Sequence, residues 1–233
     1  VLDVLAGELQ TLRSLVPESG LQVTGPIAQR MVDVVRPFWK SKVTPMAAVA
    51  GSVADEMLCA MCTSADLSRA YVNNGGDIAI HLSDGEEFSV ASANGPVSIR
   101  SADQVRGIAT SGWRGRSFSF GIADSVTVLA ASAAQADVAA TLIGNEVDLP
   151  RSIKVRRAPA AALFPDSDLG QRRITVEVAA LTRKEVATAL ARGLEFAAQL
   201  QAGGLIVAAT LGLNDEVRTL EAGSAMTGIR QHA

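Results

Sequence analysis

Residues 70–82 read Ala70-Tyr71-Val72-Asn73-Asn74-Gly75-Gly76-Asp77-Ile78-Ala79-Ile80-His81-Leu82. Residues 70–72 and 78–82 are short β-prone runs, and the Asn/Gly/Asp cluster between them is turn chemistry. A third run at 87–91 follows Asp84-Gly85, a strong hairpin signal. Short strands joined by tight turns pair antiparallel, whereas parallel neighbours need a long crossover between them. Outward from this block, residues 1–16 carry Leu2, Leu5, Leu9 and Leu12 at helical spacing and stop at Pro17. Residues 27–35 predict a second helix between Pro26 and Pro37. Residues 46–61 predict a third, whose Ala/Gly/Ser content suits close packing against another backbone.

Further along, residues 117–130 predict one long strand, alternating at first and then continuously apolar. Residues 134–143 are Ala-rich and helical, and 173–178 alternate as a strand. Thr182 and Glu185 form a capping box for a helix running to about residue 202, and Gly203-Gly204 ends it ahead of an apolar strand at 205–210. Helices and strands mix without regular βαβ alternation. The expected fold is therefore α+β, with mixed or antiparallel sheets flanked by helices, in a single domain over residues 1–233.

Composition narrows the function classes. The 233 residues are 48% hydrophobic and 19% charged, a globular balance. A net charge of -3 gives no footprint for nucleic acid or an anionic membrane, and 4% aromatic content offers no base-stacking platform. Uninterrupted apolar runs are shorter than the roughly 20 residues of a bilayer span. No basic, apolar leader opens the chain, so a cytoplasmic location is expected.

Three clusters could carry chemistry. In Asn73-Asn74-Gly75-Gly76-Asp77, paired glycines let backbone N–H groups converge on an anion, or simply close a hairpin. In Gly107-Ile108-Ala109-Thr110-Ser111-Gly112, followed by Trp113-Arg114-Gly115-Arg116-Ser117, hydroxyls and guanidinium groups suit phosphate oxygens, or make a solvated loop. In Ala136-Asp137-Val138-Ala139-Ala140-Thr141, a carboxylate and a hydroxyl four residues apart share one helical face. They suit a hard cation such as Mg²⁺, or Asp137 complements the helix dipole. Cys59 and Cys62 form a CxxC without further ligands and read as buried core thiols. His81, inside a strand, reads as structural, and His232 lies in the tail.

The order of these blocks, preceded by Gly51-Ser52-Val53-Ala54-Asp55 and joined by Ser125-Val126-Thr127-Val128, resembles the ApbE family. Its members are FAD-dependent, Mg²⁺-requiring enzymes that attach FMN to a threonine of target flavoproteins. The likeness is best over residues 45–145. It implies that Asn74, Gly75, Gly76 and Asp77 line a flavin nucleotide, that Thr110 and Ser111 lie near its phosphates, and that Asp137 and Thr141 hold Mg²⁺. It implies FAD or FMN as cofactor, a nucleotide ligand and a flavoprotein partner, while charge and composition give the expectation of no nucleic-acid or membrane partner. The Ala/Gly-rich segment could equally be a homo-oligomer interface. Two departures stand out. Ala50 occupies the place of the family's lysine. The block that supplies the family's catalytic histidine is shortened to Ser119-Phe120-Gly121-Ile122-Ala123-Asp124. In that compressed form the chain looks more like an uncharacterised ApbE-related family than like the transferases. Asp55 and Asp124 are the remaining candidates for a catalytic base.

Overall fold

The structure is a computed structural model that describes residues 2–92, 95–115 and 117–222. Two short helices open it, α1 (Leu2–Gly7) and α2 (Leu9–Leu12). The single helix expected over 1–16 is interrupted at Glu8, whose carboxylate accepts the N–H groups of Thr24 and Gly25 instead. Those donors lead into α3 (Pro26–Val35), where Pro26 supplies a preset φ at the first turn. Its buried face is Ile27, Met31, Val32 and Val35. After two 3₁₀ turns, α4 (Val49–Ser64) leads into the hairpin of β1 (Arg69–Asn74) and β2 (Asp77–Leu82). Asn74 pairs with Asp77, so Gly75 and Gly76 alone make the turn, at φ of 72° and 114°. Positive φ at both positions marks the hairpin turn whose twist matches its strands, and it favours glycine.

The chain continues through β3 (Glu87–Ser92), β4 (Gly95–Arg100), β5 (Gly107–Ser111) and β6 (Ser125–Ala130) to α5 (Ala133–Glu146). Then come β7 (Val155–Pro159), α6 (Ala160–Leu163), β8 (Arg173–Val178), α7 (Arg183–Ala202), β9 (Ala208–Leu213) and β10 (Glu216–Leu220). The main sheet has six strands in the order β1-β2-β5-β6-β9-β10, and β3-β4 and β7-β8 form separate ribbons. Pairing is antiparallel in all three. The fold is α+β.

The helix α5 packs on β5 and β6, with α4 and α7 beside it. Its alanines 133, 134, 136, 139 and 140 are almost fully buried, so the helix approaches its neighbours at short range. Two glycines show how short. A Cβ on Gly51 would stand 2.3 Å from the carbonyl oxygen of Ala133, and one on Gly107 would stand 2.0 Å from the carbonyl carbon of Ser132. The N-terminus of α5 therefore sits against bare backbone of α4 and β5.

Several expectations change. The strand predicted over 117–130 exists only as β6. Its first half folds back, with Trp113 N–H donating to the Ala123 carbonyl and Ile122 N–H to that of Val147. Ile122 and Ala123 are apolar because they fill the core, not because they extend a strand. Conversely, residues 107–111 form a central strand rather than a loop, and the strand expected at 205–210 is β9, three residues later. The continuous helical run Pro45–Ser64 is long and apolar enough, by length and composition only, to cross a bilayer. Here it packs on α5, β1 and β2 and carries Asp55 and Glu56.

Candidate functional site

The β1–β2 turn, the end of β5, the start of α4 and the middle of α5 converge on one cavity of about 350 Å³. Asn74, Gly75, Asp77, Thr110, Ser111, Asp137 and Thr141 line it, so seven of the residues singled out in three separate stretches of sequence meet there. Each is held in place by its element. Asn74 donates its side-chain amide to the Ala50 carbonyl (3.1 Å), tying the hairpin to the start of α4. Gly76 is in the turn but not in the lining, and its N–H bonds Asn73 Oδ1 at 2.8 Å. Thr110 on β5 shares a hydroxyl contact of 2.9 Å with Thr127 on β6.

Asp137 is the electrostatic centre. It is half-buried, and its Oδ2 accepts the Gly51 N–H at 3.0 Å, made possible by the close approach of α4 and α5. Burial pushes its carboxyl well above the usual carboxylate range, and the charge of Asp77 pushes the same way. The N–H groups of Gly51 and Ala50 oppose the shift without cancelling it. Two carboxylates and the Thr141 hydroxyl in one lining are donors that a Mg²⁺-like cation could use, since it takes one or two protein carboxylates and keeps waters or phosphates in its other positions. No group of three or more His, Cys, Asp or Glu residues gathers for a metal among the described residues, so an all-protein cage of the zinc type is not built here.

The cavity opens into a larger cleft of about 820 Å³, with Ala50, Asp77, Ser117, Asp137 and Thr141 in both linings. Four of the chain's six phenylalanines, Phe118, Phe120, Phe164 and Phe196, line this cleft. Aromatic side chains and the carboxylate pair thus share one lining. Phe118 and Phe164 lie with ring centroids 5.2 Å apart. The Arg172 guanidinium stands 4.1 Å from the Phe120 ring centre. Sequence reasoning missed this aromatic lining. Its only signal was the scarcity of aromatics elsewhere, which does not reveal where they meet.

Both candidate bases are placed outside these linings. Asp55, on α4, accepts the Ala133 and Ala134 N–H groups with its two oxygens (3.1 and 3.0 Å). It thus caps α5. Burial raises its carboxyl and those two bonds lower it. Asp124 accepts the Asn214 N–H (2.7 Å), the Trp113 indole N–H (3.3 Å) and Arg114 (3.1 Å). These carboxylates hold segments together. The thiols also differ from expectation: Cys59 is exposed, and Cys62 is half-buried against the apolar cluster of Ala54, Leu58, Ala70 and Ala79. His81 Nε2 is 2.9 Å from the Leu67 carbonyl, a structural contact. Arg116 and His232 lie outside the described residues.

A family model described as AbpE bacteria matches residues 1–219. Among curated relatives, a UPF0280 protein of Methanothrix thermoacetophila is 37% identical over 135 residues, 55% of each chain. One of Methanospirillum hungatei is 39% identical over 114 residues, 46% of each, and one of Methanopyrus kandleri 35% over 135 residues, 56% of this chain and 53% of the relative. The chain spans about half the length of the curated relatives it matches.

Proposed function

The chain belongs to the AbpE bacteria family, and from its cleft we propose that it binds the pyrophosphate of a flavin dinucleotide, or a closely related nucleotide, together with a divalent cation. One observation carries this reading. Asp137 is half-buried within the field of a second carboxylate, Asp77, in a lining that also holds Thr141 and Gly75 of the hairpin. Like charges brought together out of water are unfavourable, and a cation between them relieves both the desolvation and the repulsion. Asp137, Asp77 and Thr141 would hold that ion, which when bound would neutralise phosphate charge. The hairpin at Gly75 and the Thr110 and Ser111 hydroxyls face the same space and would orient the phosphates. The aromatic lining at Phe118 and Phe164 would take the planar ring and exclude water from it.

Binding ranks ahead of FMN transfer because Asp55 and Asp124 spend their oxygens on N–H donors rather than facing the cavity. Transfer of FMN to a flavoprotein hydroxyl, or cleavage of the pyrophosphate, is the second reading, and the ordered motifs that resemble ApbE favour it. The test is incubation with FAD and Mg²⁺, reading AMP release and the flavin retained after desalting. Retained flavin without AMP, lost in Asp137→Ala, supports binding. AMP release that is lost in Asp137→Ala supports the enzyme. If flavin is neither retained nor cleaved, the flavin reading fails.

A further inference from the structure

The larger cleft has a basic arm, marked by cations that line the cleft and not the smaller cavity with the glycine hairpin. Arg13 at the end of α2, Lys40 and Lys42 in the turn after α3, and Arg172 just before β8 all line the cleft and none lines the smaller cavity. None of the four makes an ion pair among the described residues, whereas nine other lysines and arginines do. The carboxylates along the same arm are Glu146, Asp166 and Asp168. Glu146 is paired with Arg192 at 3.2 Å, and Asp168 accepts the hydroxyl of buried Thr44 at 2.6 Å. Only Asp166, which is exposed, has no such commitment.

Arg172 is the organised member. It donates to the Lys42 carbonyl at 2.9 Å and lies over the Phe120 ring, which holds its guanidinium against an apolar floor. Burial disfavours its charge and Asp168 only partly offsets this. Thr44 to Asp168 and Arg172 to Lys42 are two cross-ties between the same pair of segments, so residues 40–44 and 164–172 present their cations on one fixed frame. A half-buried guanidinium that makes no ion pair and is only partly compensated by Asp168, in a lining shared with three exposed cations, favours an anion with oxygen acceptors.

We propose that this arm is a second anion subsite, taking a phosphate ester or carboxylate on the part of the ligand remote from Asp77 and Asp137. It rests on the arrangement of the cleft and holds whether or not the ring between the two ends is a flavin. The ligand class it defines is a planar aromatic compound with anionic groups at both ends.

The test uses the full chain with EDTA present, so that no cation bridges phosphate to Asp137. Inorganic phosphate and succinate are titrated separately at constant ionic strength against chloride, reading melting temperature. The expected result is a saturable rise with at least one of the two oxyanions, and which one responds identifies the group. Lys40→Gln with Lys42→Gln, which alters only exposed side chains, should raise the half-saturating concentration about tenfold, and Arg172→Gln should abolish the response. Arg172→Lys should keep part of it, which separates lost charge from lost folding. Asp137→Asn should respond like the wild type. No rise beyond chloride overturns the proposal, as does an unchanged response in the cation variants. A response lost in Asp137→Asn but kept in the lysine variant would place the anion at the glycine hairpin. That outcome overturns the second subsite and leaves the nucleotide reading standing.

Discussion

Gly51→Ala should destabilise this protein although it places a better helix former inside α4. Alanine gains about 1 kcal/mol over glycine in a helix interior. Against this, the new Cβ meets three backbone atoms of α5, Ala133 O at 2.3 Å, Ala133 C at 2.5 Å and Ala134 N at 2.7 Å. Real Cβ contacts essentially never fall below 3.0 Å, so the two helices must separate by several tenths of an ångström. No flexible side chain is available to yield. Overpacking of this kind costs about 1–3 kcal/mol. The separation also lengthens the bond from Gly51 N–H to Asp137, and an ordinary intramolecular hydrogen bond is worth about 0.5–1.5 kcal/mol. Set against the propensity gain, the net loss is about 2 kcal/mol, or about 4–8 °C in melting temperature for a chain of this size. Urea unfolding followed by circular dichroism measures it, with the slope against urea unchanged. Gly7→Ala is the control, because nothing lies within 4 Å of its Cβ. It should be neutral or slightly stabilising. A Gly51→Ala protein as stable as the wild type would refute the close approach of α4 and α5, and with it the placement of Asp137.

Asp137 also predicts a pH dependence of unusual sign. Its folded carboxyl is raised above the usual aspartate range, so the folded state binds the extra proton and stability falls as pH rises through that window. In EDTA the wild type should lose melting temperature from acid toward neutral pH more steeply than Asp137→Asn. Asp55 and Asp148, also raised by burial, supply a background slope common to both proteins. Mg²⁺ should restore the wild type above the window and leave the variant unmoved; an equal Mg²⁺ response in both proteins counts against the cation site. Glu185 behaves oppositely. The Lys154 ammonium, followed by the Thr182 donors, holds it at about 2 instead of 4.5. Its contribution is present above pH 4.5 and is lost as pH falls toward 2. Glu185→Gln should melt lower than the wild type at pH 6, with the gap closing as the pH drops through that range; a gap independent of pH would show that the capping box acts through shape alone.

The parts of the fold that sequence revealed are those written in nearest neighbours. The Thr182–Glu185 capping box forms as its spacing requires, because both bonds close within one helical turn. The same holds for the Gly75-Gly76 turn, where two positive φ values leave little choice of residue. Residues 107–111 were harder, since Gly107-Ile108-Ala109-Thr110-Ser111 has the small-residue texture of a loop. It is a central strand because Gly107 lets Ser132 approach it, a fact of packing with no local signature. The continuous apolar run before β6 misled in the other direction, for burial makes loop residues such as Ile122 and Ala123 as apolar as strand residues.

The candidate site divides the same way. Sequence alone offered Asn74–Asp77, Thr110–Ser111 and Asp137–Thr141 as groups that could meet phosphate and a cation, each beside an ordinary structural reading, because residue type and short spacing fit both. Only the tertiary structure decided that these groups share one cavity, and that phenylalanines from distant segments line the adjoining cleft together with Arg13, Lys40, Lys42 and Arg172. It also decided what the two remaining acidic candidates do. A carboxylate has the same letter whether it faces a ligand or a backbone donor. For Asp55 the donor is an N–H 78 residues away, and for Asp124 it is one 90 residues away. Which way a carboxylate points is set by where the chain returns, and contacts across that distance are settled by the packing of whole elements rather than by the residues beside them.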